Sequence, residues 1–74
     1  MDFLFVKGNK PRCINLRNVL YLESREAYST SADRQKVTVF KFMDGSSVDV
    51  AADIDKILEI LEDVGNIYEV TEDT

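Results

Sequence analysis

The chain has 74 residues, of which 45% are hydrophobic and 31% charged, with a formal net charge of −5 and no histidine. A chain this short reads as one small domain over residues 1–74, burying roughly 60–65% of its unfolded surface. It has no apolar run near 20 residues, so a membrane span is not expected. The start, Met1-Asp2-Phe3-Leu4-Phe5, lacks the basic segment and long apolar core of a secretion signal, and the lone Cys13 rules out an internal disulfide, so the expected location is cytoplasmic. Cys13 itself is read as a small core residue.

Residues 3–6, Phe-Leu-Phe-Val, predict a first strand. It closes at the polar turn Lys7-Gly8-Asn9-Lys10-Pro11-Arg12. Residues 13–16 predict a second short strand with Ile14 and Leu16 on one face, and Arg17-Asn18 a tight bend. Val19-Leu20-Tyr21-Leu22-Glu23 is almost continuously apolar, which predicts a central strand buried on both faces. The polar segment 24–35 is either a loop or a short strand around residues 27–30.

The clearest local signal is the alternating run from Val37 to Val50 with Asp44-Gly45 at its centre, a strong hairpin signature. A two-residue loop would set Lys41 opposite Val48 and Phe40 opposite Asp49, mixing core residues with charges. A three-residue loop, Met43-Asp44-Gly45, sets Phe40 opposite Val48 and Thr38 opposite Val50. One residue of slip moves every side chain to the other face, so the apolar pattern selects the second register. Gly45 supplies the positive φ that a type I turn with a G1 bulge needs.

The period then changes from 2 to 3.6. Ile54, Ile57, Leu58, Leu61 and Val64 form one stripe of an amphipathic helix, with Ile60 outside it. Asp53 is the predicted N-cap, Asp55 suits the first turn, and Gly65 follows as a C-cap. Residues 66–70 predict a last short strand, and residues 71–74 a frayed acidic tail. The predicted fold class is α+β, mostly β: a small antiparallel sheet of four to five strands with one C-terminal helix packed on it. Phe40, Val48 and Val50 would share the face under the helix. Val37, Val39 and Met43 would lie on the other face as a candidate interface for a partner or a second copy.

Charge is unevenly spread. Residues 1–43 carry eight basic groups against four acidic ones, a balance of +4; residues 44–74 carry Lys56 against ten acids, a balance of −9. Such asymmetry marks either a basic binding face or two halves that neutralise each other across the fold. On the first reading the candidate nucleic-acid contacts are Lys7, Lys10, Arg12, Arg17, Arg25, Arg34 and Lys36, with Tyr28 the one aromatic near them outside a predicted strand. On the second they are ordinary solvated charges.

Catalytic chemistry is hard to assemble from this composition. Without histidine there is no Ser-His-Asp or Cys-His arrangement, and one cysteine leaves no nitrogen- and sulfur-ligated metal centre. Gly8, Gly45 and Gly65 serve turns or caps and form no phosphate-binding loop. Carboxylate pairs such as Asp53 with Asp55, or Glu62 with Asp63, read as helix-end charge. No enzyme activity, cofactor, metal or small-molecule ligand is expected.

Ile14-Asn15-Leu16-Arg17-Asn18-Val19-Leu20-Tyr21-Leu22-Glu23-Ser24, with Tyr28 four residues later, resembles the opening of the LytTR family. The later hairpin and the helix with Ile57-Leu58-Glu59-Ile60-Leu61 come in the family's order, over residues 3–70. The resemblance implies a mostly-β DNA-binding module of bacterial transcription regulators. The chain departs from it after the helix. Where the family carries a basic motif around a histidine, this sequence has Ile67-Tyr68-Glu69-Val70-Thr71-Glu72-Asp73. Glu69 and Glu72 fall on the basic positions and Thr71 on the histidine, and the family's last strands do not follow. A weaker likeness is to FlbD-like flagellar proteins, in size, hairpin and closing helix. Acids at those positions repel phosphates. The expectation is a non-enzymatic regulatory module that acts through a protein partner or a homo-oligomer. The alternative is a weak DNA-binding regulator that uses the basic N-terminal half.

Overall fold

Strand-period alternation dominates the chain, and strands are what it forms. The computed structural model describes residues 3–28, 34–62 and 68–72. In order these are β1 (Phe3–Lys7), β2 (Arg12–Asn15), a 3-10 turn (Leu16–Asn18), β3 (Val19–Tyr28), β4 (Arg34–Phe42), β5 (Ser47–Val50), α1 (Ile54–Glu62) and β6 (Tyr68–Thr71). Two three-stranded sheets result, ordered β2-β1-β6 and β3-β4-β5, in place of the expected single sheet of four to five strands. β1 pairs antiparallel with β2 and parallel with β6. The second sheet is antiparallel throughout.

The core lies between the sheets. Leu4, Val6, Ile14 and Val70 come from the first, Phe40 and Val50 from the second, and Ala52 and Ile57 from the helix and its approach. In β1 the smaller residues Leu4 and Val6 point inward, while Phe3 and Phe5 stay exposed. Cys13 lies opposite Phe5 and is exposed, not in the core as its type suggested. Thr38 is the one buried polar residue of the described set; its hydroxyl donates to the Ala52 carbonyl at 2.9 Å, so it carries no unpaired group into the interior.

The hairpin takes the register that the apolar pattern selects. Phe40 pairs with Val48 and Thr38 with Val50. Gly45 N–H donates to the Phe42 carbonyl at 3.0 Å, and Phe42 N–H to the Ser46 carbonyl at 2.9 Å. Those two bonds close the three-residue loop, with Gly45 at φ 91°. Asp44 accepts from the Ser46 backbone N–H and hydroxyl, which holds the turn and keeps the carboxyl below its ordinary pKa.

Three expectations are corrected. The strand from Val19 lies at a sheet edge and is exposed at Leu20 and Tyr21; β4 is the central strand. A register shift between Val19 and Tyr21 turns Leu20 out, so the continuous apolar run reflects a bulge and not two-sided burial. The polar segment after Glu23 continues β3 to Tyr28, which therefore belongs to a strand. In the helix, Ile57 is fully buried and Ile60 packs on the core, while Leu58 is 44% exposed. At 100° per residue, Leu58 stands 100° from Ile57 and Ile60 only 60° away on the other side, so the stripe centres on Ile57. Asp53 caps the helix as expected, its side chain accepting from Asp55 N–H at 3.1 Å. Val64, Gly65 and the start of the last predicted strand lie outside the described residues.

Candidate functional site

The residues proposed as nucleic-acid contacts do not form an unpaired basic face. Four of them meet acids from the C-terminal half. Lys7 Nζ lies 3.2 Å from Glu69, Arg12 Nη1 2.9 Å from Glu72, and Lys36 Nζ 3.3 Å from Asp53; Arg25 pairs with Asp49. Every one of these pairs joins residues 1–43 to residues 44–74. Sheet topology is what brings them together. β6 runs parallel beside β1, so Lys7 and Glu69 lie two positions apart across neighbouring strands. β5 folds back along β4, so Asp49 lies beside Val39 on one side while Arg25 lies beside Val37 on the other.

The Arg12–Glu72 pair is the most enclosed. The two side chains are 29% and 11% exposed, against 50% or more for both partners of Lys7–Glu69 and Arg25–Asp49. The guanidinium engages both carboxylate oxygens, at 2.9 and 3.0 Å. It also donates to the Lys10 carbonyl at 2.8 Å and the Asp49 carbonyl at 2.6 Å. Glu72 in turn accepts from Ala51 N–H at 2.9 Å, and its own N–H donates to the Lys7 carbonyl at 2.8 Å. One fork therefore ties β2 and the end of β6, in the first sheet, to the end of β5 in the second. Two parallel charge-assisted bonds are the strong form of such a pair. The hydrogen bond from Arg12 is the main reason the Glu72 carboxyl sits below its ordinary pKa, with Ala51 N–H adding to it. Glu72 raises the Arg12 guanidinium correspondingly. Thr71 is in β6 and Glu72 is held in this network, which corrects the expected fraying of both; residues 73–74 lie outside the described set.

Gly8 makes room for this arrangement. A Cβ there would stand 3.1 Å from Glu72 Oε1. Asp53 serves two roles at once, capping α1 and pairing with Lys36; the Asp55 N–H is the larger cause of its lowered pKa and Lys36 the second.

The remaining candidates are dispersed. Lys10 is exposed in the β1–β2 turn and has no acid partner among the described residues. Arg17 is exposed in the 3-10 turn, where its backbone N–H donates to the Asn15 side chain. Arg34 opens β4.

The apolar candidates divide. Met43 is 69% exposed at the hairpin turn, as expected. Val37 and Val39 are 6% exposed and are not the open surface predicted for them. They lie on the face of β4 opposite Phe40. The Arg25–Asp49 pair, reaching from β3 to β5, has to cross β4 over these two valines. Leu20 and Tyr21, which sequence reasoning placed inside, are the apolar groups that β3 exposes.

Among the described residues no group of three or more His, Cys, Asp or Glu is placed to hold a metal ion. Among the described residues no helix is long and apolar enough to cross a membrane. An open hollow of about 440 Å³ beside the hairpin turn is lined by Asn18, Phe42, Met43, Asp44 and Ser46. Its Asp44 and Ser46 side chains are bonded to each other and present no converging polar set. Comparison with protein-family models, with characterised proteins and with solved structures finds no match for this chain.

Proposed function

We propose that this chain is a non-enzymatic bacterial regulatory module, built on a LytTR-like order of strands, hairpin and helix, that acts through protein contacts and not through DNA. The observation that carries this reading is the occupation of its basic groups. Lys7, Arg12, Arg25 and Lys36 each have a carboxylate partner supplied by the other half of the chain. A cation already paired releases fewer counterions from DNA phosphates, and phosphate neutralisation is the main source of non-specific affinity. Glu69 and Glu72, at the positions where the resembled family carries basic residues, are two of those partners. Exposed Leu20, Tyr21 and Met43 supply the kind of apolar surface that protein contacts use.

The test is a fluorescence-anisotropy titration of the full chain with mixed-sequence duplexes and with the DNA upstream of its own gene. Specific DNA-binding domains reach about 10⁻⁸ M or tighter at physiological salt. The expected result is no saturable binding tighter than roughly 1 μM, a hundred-fold weaker than that class, at about 150 mM salt. Tighter saturable binding that falls steeply with salt, and that Lys10→Glu weakens, would replace this reading with a DNA-binding regulator using the basic half.

A further inference from the structure

The longest strand of the fold is also an edge. β3 runs ten residues from Val19 to Tyr28 and pairs on one side with β4. No element among the described residues pairs with its other side, and Leu20, Tyr21 and Glu23 to Glu26 are exposed along it. A long edge of this kind offers a row of backbone donors and acceptors to another strand, and proteins ordinarily blunt it with charges. β3 does carry charges, but they alternate in sign. The Glu23 side chain has no hydrogen-bond or ion-pair partner among the described residues, whereas Arg25 uses one nitrogen of its guanidinium on Asp49 and has further N–H groups to offer.

We propose that β3 is a homodimerisation edge, pairing antiparallel with β3 of a second copy about a twofold axis at Ser24. The proposal rests on the reading that the module works through protein contacts, and it names the occupant as the chain itself. Charge complementarity selects both partner and register. A twofold axis perpendicular to the sheet pairs residues of like parity, so one β3 residue must face its own copy. With Ser24 at the axis, Glu23 faces Arg25 of the second copy, twice by symmetry. Leu22 then faces Glu26, and Tyr21 faces Ala27. Centring on Glu23, Arg25 or Glu26 sets a charge against its own copy. Centring on Leu22 sets Glu23 against Tyr21 and Arg25 against Val19, with no opposite-charge pair. Directly opposed opposite charges stabilise a strand pair and like charges oppose it, so Ser24 is the register that the sequence of β3 favours. The product is one six-stranded sheet, β5-β4-β3-β3-β4-β5, in which each β3 edge is covered.

The test uses the full chain in sedimentation-velocity runs over a concentration series. Wild type is expected to show a reversible monomer–dimer equilibrium. Glu23→Arg leaves the Arg25–Asp49 pair in place, sets arginine against arginine twice, and should weaken association by about ten-fold or more. Arg25→Glu should do the same through opposed glutamates. An equimolar mixture of the two variants restores opposite charges at both positions, and should dimerise where neither variant does alone. Ser24→Cys in a Cys13→Ser background should form an intermolecular disulfide under mild oxidation, while Glu26→Cys in the same background should not. A monomer at every concentration, or a dimer indifferent to Glu23→Arg with no recovery in the mixture, overturns the β3 edge as the interface. Either result leaves the protein-contact reading standing, because that reading fails only in the DNA titration.

Discussion

Glu72→Ala is expected to be one of the most damaging changes outside the apolar core, although only two residues follow Glu72 in the sequence. The substitution removes the acceptor of three side-chain bonds, two from Arg12 and one from Ala51 N–H. Hydrogen bonds to charged groups contribute about 1.5–3 kcal/mol, and breaking a fully buried ion pair costs about 3–5 kcal/mol. Arg12 is 29% exposed and keeps the Lys10 and Asp49 carbonyls, so water and those acceptors offset part of the loss. The expected cost is about 2–4 kcal/mol. A domain of this size has a total stability of roughly 4–11 kcal/mol, so the loss is a large share of it. In thermal unfolding it corresponds to a fall of roughly 10–25 °C in Tm. Urea unfolding followed by circular dichroism measures it. A cycle with Arg12→Met isolates the pair from the Ala51 bond, with an expected coupling of about 1–3 kcal/mol. A Glu72→Ala variant that melts with the wild type, or a coupling indistinguishable from zero, would refute the fork as the tie between the sheets.

The same pair sets the acid limit of stability. Glu72 has a depressed carboxyl in the folded state, so its contribution is fully present above the ordinary glutamate range and is lost as pH falls through the folded value. Urea midpoints should therefore decline on acidification, and Glu72→Gln should flatten that decline. In the helix, Ile57→Ala should cost about 2–5 kcal/mol because Ile57 is fully buried, whereas Leu58→Ala should cost under about 1 kcal/mol; equal losses in a melting series would displace the helix face described above. Gly45→Ala places a Cβ in open space but at φ 91°, so strain alone should lower stability by about 1–2 kcal/mol, and an unchanged midpoint would contradict the left-handed turn.

The parts of this fold that could be read from the sequence are those fixed by near neighbours. The hairpin register followed from the alternation around Asp44-Gly45, because only one loop length keeps Phe40, Val48 and Val50 on a single face. The helix start followed from Asp53, whose short acceptor reaches the N–H two residues on. Features set by distant partners were less legible. Nothing in residues 19–23 announces that Leu20 is turned out by a bulge, since an apolar run reads the same whether two faces are buried or one residue is extruded. Val37 and Val39 are buried on the face of β4 opposite Phe40, which an alternation pattern within β4 does not encode. β6 joins β1 across more than 60 positions of sequence, a pairing that no local pattern announces. The charge asymmetry between the halves did signal the ion pairs, as one of two readings. It gave the sign of each partner but not its identity, because pairing Arg12 with Glu72 requires the parallel placement of β6.

The central claim is that Lys7, Arg12, Arg25 and Lys36, held by carboxylates from the other half of the chain, are not available to DNA phosphates. Backbone amide spectra of the labelled chain, recorded while duplex DNA is added at about 150 mM salt, test it residue by residue. The account predicts no saturable shifts at Lys7, Arg12, Arg25 or Lys36, with any response confined to weak, salt-sensitive changes near Lys10. Saturable shifts clustered on Lys7, Lys10, Arg12, Arg17 and Arg25 would contradict it.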